Sequence, residues 1–100
     1  RLVCEFEGEK GRFVVILVGA MIVAGIETVW AGEVAPVVPR LHSQNYTDLN
    51  EIVLQKGDEM GRFKLGSTAI VLFPPNTVEW DETLKNGTAV RMGQSIGKML

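Results

Sequence analysis

The 100 residues include one cysteine, Cys4, and one histidine, His42. A single thiol excludes an internal disulfide and a cysteine-built zinc cluster, and Cys4 reads as a small buried residue. No metal site is expected. Lysine and arginine number 10 against 12 acidic residues, a formal net charge of −2, so no basic footprint for a nucleic acid is present. The stretch 14–26 runs for 13 residues without a charged or polar side chain. A membrane-spanning helix needs about 20, so this stretch is too short for one. Low-complexity tracts and internal repeats are absent. With 46% apolar and 22% charged residues, the composition is that of a folded domain rather than a disordered tail. The chain starts at Arg1 without a methionine or a signal peptide and reads as a fragment or a processed product, one domain or part of one.

What is present reads mainly as β-structure. Residues 2–6 alternate loosely, Gly8-Glu9-Lys10-Gly11 is a turn signal, and residues 12–18 leave it as a second strand of a hairpin. In 14–26, the valines and isoleucines and the breaks at Gly19 and Gly25 predict two buried strands joined at a bend, the second ending over 27–30. Residues 32–44, with Pro36, Pro39 and His42, read as a connection. Ile52-Val53-Leu54 predicts a short strand before a turn at Lys56-Gly57-Asp58. Residues 67–73 predict a buried strand that Pro74-Pro75-Asn76 stops. Short peripheral strands are expected over 77–80 and 89–92, around a turn at Asn86-Gly87. The fold class expected is mainly β, a compact barrel-like or sandwich-like domain.

Chemistry concentrates in Leu65-Gly66-Ser67-Thr68, inside the longer string from Lys56 to Phe73. Gly66 has no Cβ, so its carbonyl is open to attack and its backbone reaches conformations closed to other residues. Ser67 supplies a hydroxyl nucleophile that works only when a base or strain activates it. The tetrapeptide alone is compatible with a serine that merely starts a strand. The longer string gives it meaning, together with Leu17-Val18-Gly19-Ala20, Ile26-Glu27-Thr28-Val29-Trp30-Ala31-Gly32 and Val90-Arg91-Met92-Gly93-Gln94.

With these stretches the chain resembles, over nearly its whole length, the C-terminal part of the phosphatidylserine decarboxylase proenzymes of the bacterial, membrane-associated type. Arg1 falls where that family ends an Asn-Glu-Arg motif. The likeness weakens over 42–50, and Ala24-Gly25 stands where Gly-Ser is expected. The resemblance implies a piece of a larger α+β enzyme that cuts itself between Gly66 and Ser67. The Ser67 hydroxyl would attack the Gly66 carbonyl and turn the amide into an ester. Elimination would free the Gly66 carboxylate and leave dehydroalanine at 67. Tautomerisation and hydrolytic loss of ammonia would give a pyruvoyl group. Residues 1–66 would end a β chain, and residues 67–100 would begin an α chain. The pyruvoyl ketone would form a Schiff base with the amine of phosphatidylserine and accept electrons as CO2 leaves, giving phosphatidylethanolamine. The resemblance further implies a homo-oligomer placed peripherally at the cytoplasmic face of the bacterial inner membrane, with the membrane-binding elements upstream.

An aspartate–histidine pair that activates the serine is expected before Arg1, and His42 reads as a surface loop residue. Without that pair, these residues alone are expected to stay uncut or to cut slowly. Arg62 and Lys64 place positive charge near the junction, for an anionic headgroup or as a solvated strand face. Two other readings stay open. Phe63-Lys64-Leu65 loosely resembles the hairpin of a β-module that carries a prosthetic group on Lys64, although the turn signal lies at Lys56-Gly57-Asp58. A related pyruvoyl enzyme could act on another amine. Asn45-Tyr46-Thr47 and Asn86-Gly87-Thr88 match the glycosylation triplet, and both asparagines are expected to be unmodified. Trp30 and Trp80 suit strand-end packing or contact with lipid.

Overall fold

The computed structural model describes residues 1–19, 25–35, 43–46, 52–64 and 68–100. These residues form eight strands and no helix: β1 (Leu2–Gly8), β2 (Gly11–Val18), β3 (Ile26–Thr28), β4 (Gly32–Ala35), β5 (Gly61–Phe63), β6 (Thr68–Leu72), β7 (Val78–Trp80) and β8 (Gly97–Met99). They make three small sheets with the orders β1-β2-β6, β4-β3-β5 and β7-β8. The mainly β expectation holds. The expected first hairpin is present, and its turn contracts to Glu9-Lys10, with Gly11 at φ +109° where only glycine is unstrained.

The chain divides into two compact units. One comprises Arg1–Leu2 and Ile16–Ile70. Its best-buried side chains are Ile26, fully enclosed, with Thr28 and Leu17. Strand β3 is the middle strand of its sheet, which is why its short Ile-Glu-Thr run holds two of them. A three-residue turn, Val29-Trp30-Ala31, joins β3 to β4. The Ala31 amide donates to the Thr28 hydroxyl (3.2 Å), so the buried threonine serves the turn, and Gly32 follows at φ +68°. The pairing runs Ile26↔Ala35, Glu27↔Glu33 and Thr28↔Gly32, which leaves Val34 as an extra residue in a bulge.

The other unit comprises Val3–Val15 and Val71–Leu100. A row of rings runs through it. Phe6 stacks on Phe13 (centroids 5.3 Å apart), Phe13 on Phe73 (5.4 Å), and Trp80 meets Phe73 edge-on (5.8 Å). Trp80 therefore packs at a strand end, although half of it is exposed. Strand β7 pairs antiparallel with β8 as Val78↔Met99, Glu79↔Lys98 and Trp80↔Gly97. Further bonds from Asp81 N–H to the Ile96 carbonyl (2.9 Å) and from Leu100 N–H to the Thr77 carbonyl (3.0 Å) extend the ladder. Between these strands, side chains close successive turns. The Asp81 carboxylate accepts from the Thr83 hydroxyl (2.7 Å) and amide (2.9 Å), which hold its pKa below the ordinary carboxylate value. At the expected Asn86-Gly87 turn, Thr88 N–H donates to the Lys85 carbonyl and Lys85 N–H to the Thr88 hydroxyl.

Several expectations are corrected. Residues 89–92 are not a strand: Arg91 and Gln94 close a turn on each other, Arg91 N–H to Gln94 Oε1 and Gln94 N–H to the Arg91 carbonyl, both 3.0 Å. The partner of β7 is Gly97–Met99 instead. Ile52-Val53-Leu54 carries no ladder pairing, and Val53 is exposed. The stretch read as a connection begins with β4, because β3 needs a partner on each edge. Strand β6 forms as expected but is not buried. It is an edge strand, and Ile70 and Leu72 are 41% and 50% exposed. The bend expected within 14–26 lies partly outside the described residues.

Cys4 is buried as expected, and its burial pushes the thiol up from the ordinary 9.0. A thiol that ionises later in the folded state adds stability below pH 9.0, and this fades as pH rises further. Cys4 should therefore resist alkylation at pH 8 in the folded protein and react fully in denaturant, as followed by mass spectrometry. Replacing Ile26 with alanine should cost about 2–5 kcal/mol in denaturant unfolding, whereas Ile70→Ala should cost under about 1 kcal/mol.

Candidate functional site

Two of the quoted stretches lie side by side. Strand β3 opens Ile26-Glu27-Thr28-Val29-Trp30-Ala31-Gly32, and β5 leads into Leu65-Gly66-Ser67-Thr68. They pair antiparallel as Ile26↔Phe63, Glu27↔Arg62 and Thr28↔Gly61. The Val29 amide donates to the Met60 carbonyl (2.9 Å) and the Lys64 amide to the Gly25 carbonyl (3.0 Å), which prolongs the ladder at both ends. Gly61 permits the approach. A Cβ there would collide with the Glu27 carbonyl oxygen and lie 3.1 Å from the Thr28 Cα. The expected turn at Lys56-Gly57-Asp58 precedes this strand. Asp58 N–H donates to the Gln55 carbonyl (3.0 Å), and Gln55 N–H donates to the Asp58 carboxylate (2.9 Å).

The charges on this sheet are arranged in opposition. Glu27 and Glu33 are direct cross-strand neighbours, a like-charge pairing that destabilises a sheet. Each has a cation. Arg62 Nε lies 4.0 Å from Glu27 and 3.8 Å from Glu59, and Lys64 Nζ lies 3.0 Å from Glu33. Three carboxylates meet two cations, so the cluster as a whole carries no net positive charge. Lys64 reaches Glu33 across the start of β3, over Gly25. A Cβ on Gly25 would lie 2.9–3.0 Å from the Lys64 Cβ, Cγ and Cδ.

Leu65, Gly66 and Ser67 lie outside the described residues, as does His42. Lys64 before them and Thr68 after them are described, and Thr68 opens β6. Asn45 and Asn86 are both exposed, and Thr47 of the first triplet is outside the described residues. Trp30 is partly buried in the β3–β4 turn. A pocket of about 150 Å³ is lined by Glu27, Thr28, Val29, Gly32, Gly61 and Arg62. It sits at the Gly61 end of β5, about 10 Å along the strand from Lys64. Among the described residues, no cluster of three or more histidine, cysteine or acidic side chains could hold a metal ion, and no helix is long and apolar enough to cross a membrane.

A family model described as phosphatidylserine decarboxylase matches residues 1–98. The chain belongs to the phosphatidylserine decarboxylase family. The phosphatidylserine decarboxylase proenzyme of Pseudomonas putida strain F1 is 57% identical over 98 residues, 96% of this chain and 34% of that protein. Its counterpart in strain GB-1 is 56% identical over 100 residues, covering 98% and 35%. That of Ectopseudomonas mendocina strain ymp is 57% identical over 99 residues, covering 97% and 35%. The chain thus spans about a third of the length of the curated relatives it matches. No solved structure matches it.

For a member of the decarboxylase family, the reading of Lys64 as a carrier lysine loses its footing. Its ammonium is tied to Glu33 beyond the end of a strand, and the tight turn lies at Lys56-Gly57. The sequence offered Gly25 only as a strand break and gave no role to Glu33. The first was visible as a departure from the family pattern, and the second was hidden in a stretch read as a connection. Replacing Gly61 with alanine should disrupt the β3–β5 pairing at a cost of about 1–3 kcal/mol, because the clash is with backbone that cannot turn aside. Denaturant unfolding, with hydrogen exchange at Val29 and Lys64, checks this.

Proposed function

We propose that this chain is the part of a phosphatidylserine decarboxylase proenzyme that contains its self-cleavage junction, Gly66–Ser67. The observation that carries the reading is the match to the decarboxylase family over residues 1–98, within which Leu65-Gly66-Ser67-Thr68 lies. The relatives' names call them proenzymes, which suits a chain that must be altered before it works.

Ser67 is the nucleophile and Gly66 supplies the carbonyl. Attack makes an ester, and elimination divides the protein into a chain ending at Gly66 and a chain beginning at position 67. The base that takes the Ser67 proton comes from outside these residues, an aspartate–histidine pair upstream. The residues at hand fit a pyruvoyl group derived from Ser67: a serine follows a glycine with no Cβ, and the next residue begins a strand that can hold the new chain end. Such a group supplies the electron sink for loss of CO2. The substrate is phosphatidylserine, and the products are phosphatidylethanolamine and CO2. The working form is a homo-oligomer of paired chains, peripheral at the cytoplasmic face of the bacterial inner membrane.

In the complete protein, intact mass should show two chains, the downstream one beginning at position 67 with a ketone-bearing end. Ser67→Ala should lower the cleavage rate by at least about 10³-fold and remove the adduct trapped by borohydride with the substrate amine. A single uncut wild-type chain, or cleavage that survives Ser67→Ala, overturns the reading. Comparing CO2 release from phosphatidylserine and from soluble amino acids decides between this substrate and another amine.

A further inference from the structure

Lys64 is held in three ways, and each is a different kind of contact. Its amide continues the β3–β5 ladder by donating to the Gly25 carbonyl (3.0 Å). Its stem lies on Gly25, where any side chain would intrude on the Cβ, Cγ and Cδ. Its ammonium reaches past β3 to Glu33 on β4 (3.0 Å). A lysine on a solvated strand face would extend into water and keep its rotamer freedom. This one is laid sideways across the sheet. The path exists because position 25 is glycine, and Gly25 is not at a positive φ, so no backbone demand accounts for a glycine there.

We infer that Lys64 is a positioning residue for self-cleavage, with Gly25 and Glu33 as its seat. The inference rests on the assignment of Gly66–Ser67 as the junction. The attacking hydroxyl and the carbonyl it attacks are neighbours in one short segment, so the reaction depends on how that segment is aimed. Near-attack geometry is sensitive, and a misplacement of about 1 Å can cost on the order of 10²-fold in rate. The clasp fixes the chain's course at its last described residue before the junction, two positions ahead of Gly66. Lys64 touches none of the reacting atoms in this role and acts through the backbone it anchors.

The test measures conversion of the full-length proenzyme into two chains by intact mass over time, with thermal unfolding of the same samples. Glu33→Gln and Lys64→Met should each slow cleavage by about tenfold. Gly25→Val, which blocks the path of the stem, should do the same. Lys64→Arg should stay within about twofold of wild type, and the exchange of charges in Glu33→Lys with Lys64→Glu should recover most of the lost rate. Lys98→Met breaks the comparable exposed pair with Glu79 (3.3 Å) and should leave the rate unchanged. Wild-type rates in both Glu33→Gln and Lys64→Met overturn the inference. So does equal slowing in Lys98→Met, or slowing that simply follows the loss of thermal stability. If Lys64→Met fails to fold, the nearly isosteric Glu33→Gln still decides. A wild-type proenzyme that matures at a different bond instead overturns the assignment of the junction itself, and with it this role for Lys64.

Discussion

The contact between Gly61 and the Glu27 carbonyl governs the arrangement around the candidate site. Two strands of three residues each have few ladder bonds, and they hold only if their backbones come to full pairing distance. Any Cβ at position 61 would strike the backbone of β3. Glycine is a poor strand residue, since it loses the most entropy and packs no side chain. Its use here sets a weak local propensity against a close approach that nothing else permits. From that approach the register follows, and from the register come the Glu27↔Arg62 pairing and the meeting of Lys64 with Gly25. The same device recurs in β8, where Gly97 lies under the Glu79 carbonyl.

The charged pairs on this sheet are exposed, and each contributes only about 0.2–1 kcal/mol. Their weight is in direction rather than stability. Glu27 and Glu33 repel each other across β3 and β4, so each is better placed leaning toward the cation beyond it. That draws Arg62 toward one carboxylate and Lys64 toward the other, on a strand too short to set the two side chains by packing alone. The arrangement also answers what the positive charges near the junction are for. Both are engaged by local carboxylates, and neither contributes to a basic surface.

Much of this was readable from the residues, and the failures share a cause. The first hairpin was legible because Gly8 to Gly11 separates a loosely alternating run from an apolar one, and the Lys56-Gly57 and Asn86-Gly87 turns because glycine marks positive φ. The mainly β class followed from the density of valine, isoleucine and glycine breaks. Strands β4, β5 and β8 were missed because they are short, contain glycine or charge, and owe their existence to partners distant in sequence. Ile52-Val53-Leu54 shows the reverse, a strand-like composition with no partner to pair with. The burial of β6 was overestimated because an apolar run reports what a strand could bury, while its edge position decides what it does bury. At the site, the proposed junction was read from a string of adjacent residues. The seat of Lys64 was not, because it brings together positions 25, 33 and 64 through register alone.

The proposed self-cleavage at Gly66–Ser67 would ask something further of the fold: the two pieces would have to stay together once the peptide bond between them is gone. Strands β3, β4 and β5 belong wholly to the upstream piece, and β7 and β8 wholly to the downstream piece, so each piece carries pairing of its own. Among the described residues, β6 and Phe73 join the two. Strand β6 is downstream of the junction and lies beside β2, which is upstream. In the aromatic row, the contact of Phe13 with Phe73 crosses the proposed cut. The first strand after the junction is therefore also the strand that ties the pieces, and it begins at the residue next to Ser67. After such a cut, the strand that follows would keep the pairing with β2 that it already has. The edge position of β6 costs it burial but leaves its pairing with β2 independent of the covalent link to β5. This independence is what a strand needs if it is to stay in place while the bond one residue upstream of its neighbour is broken.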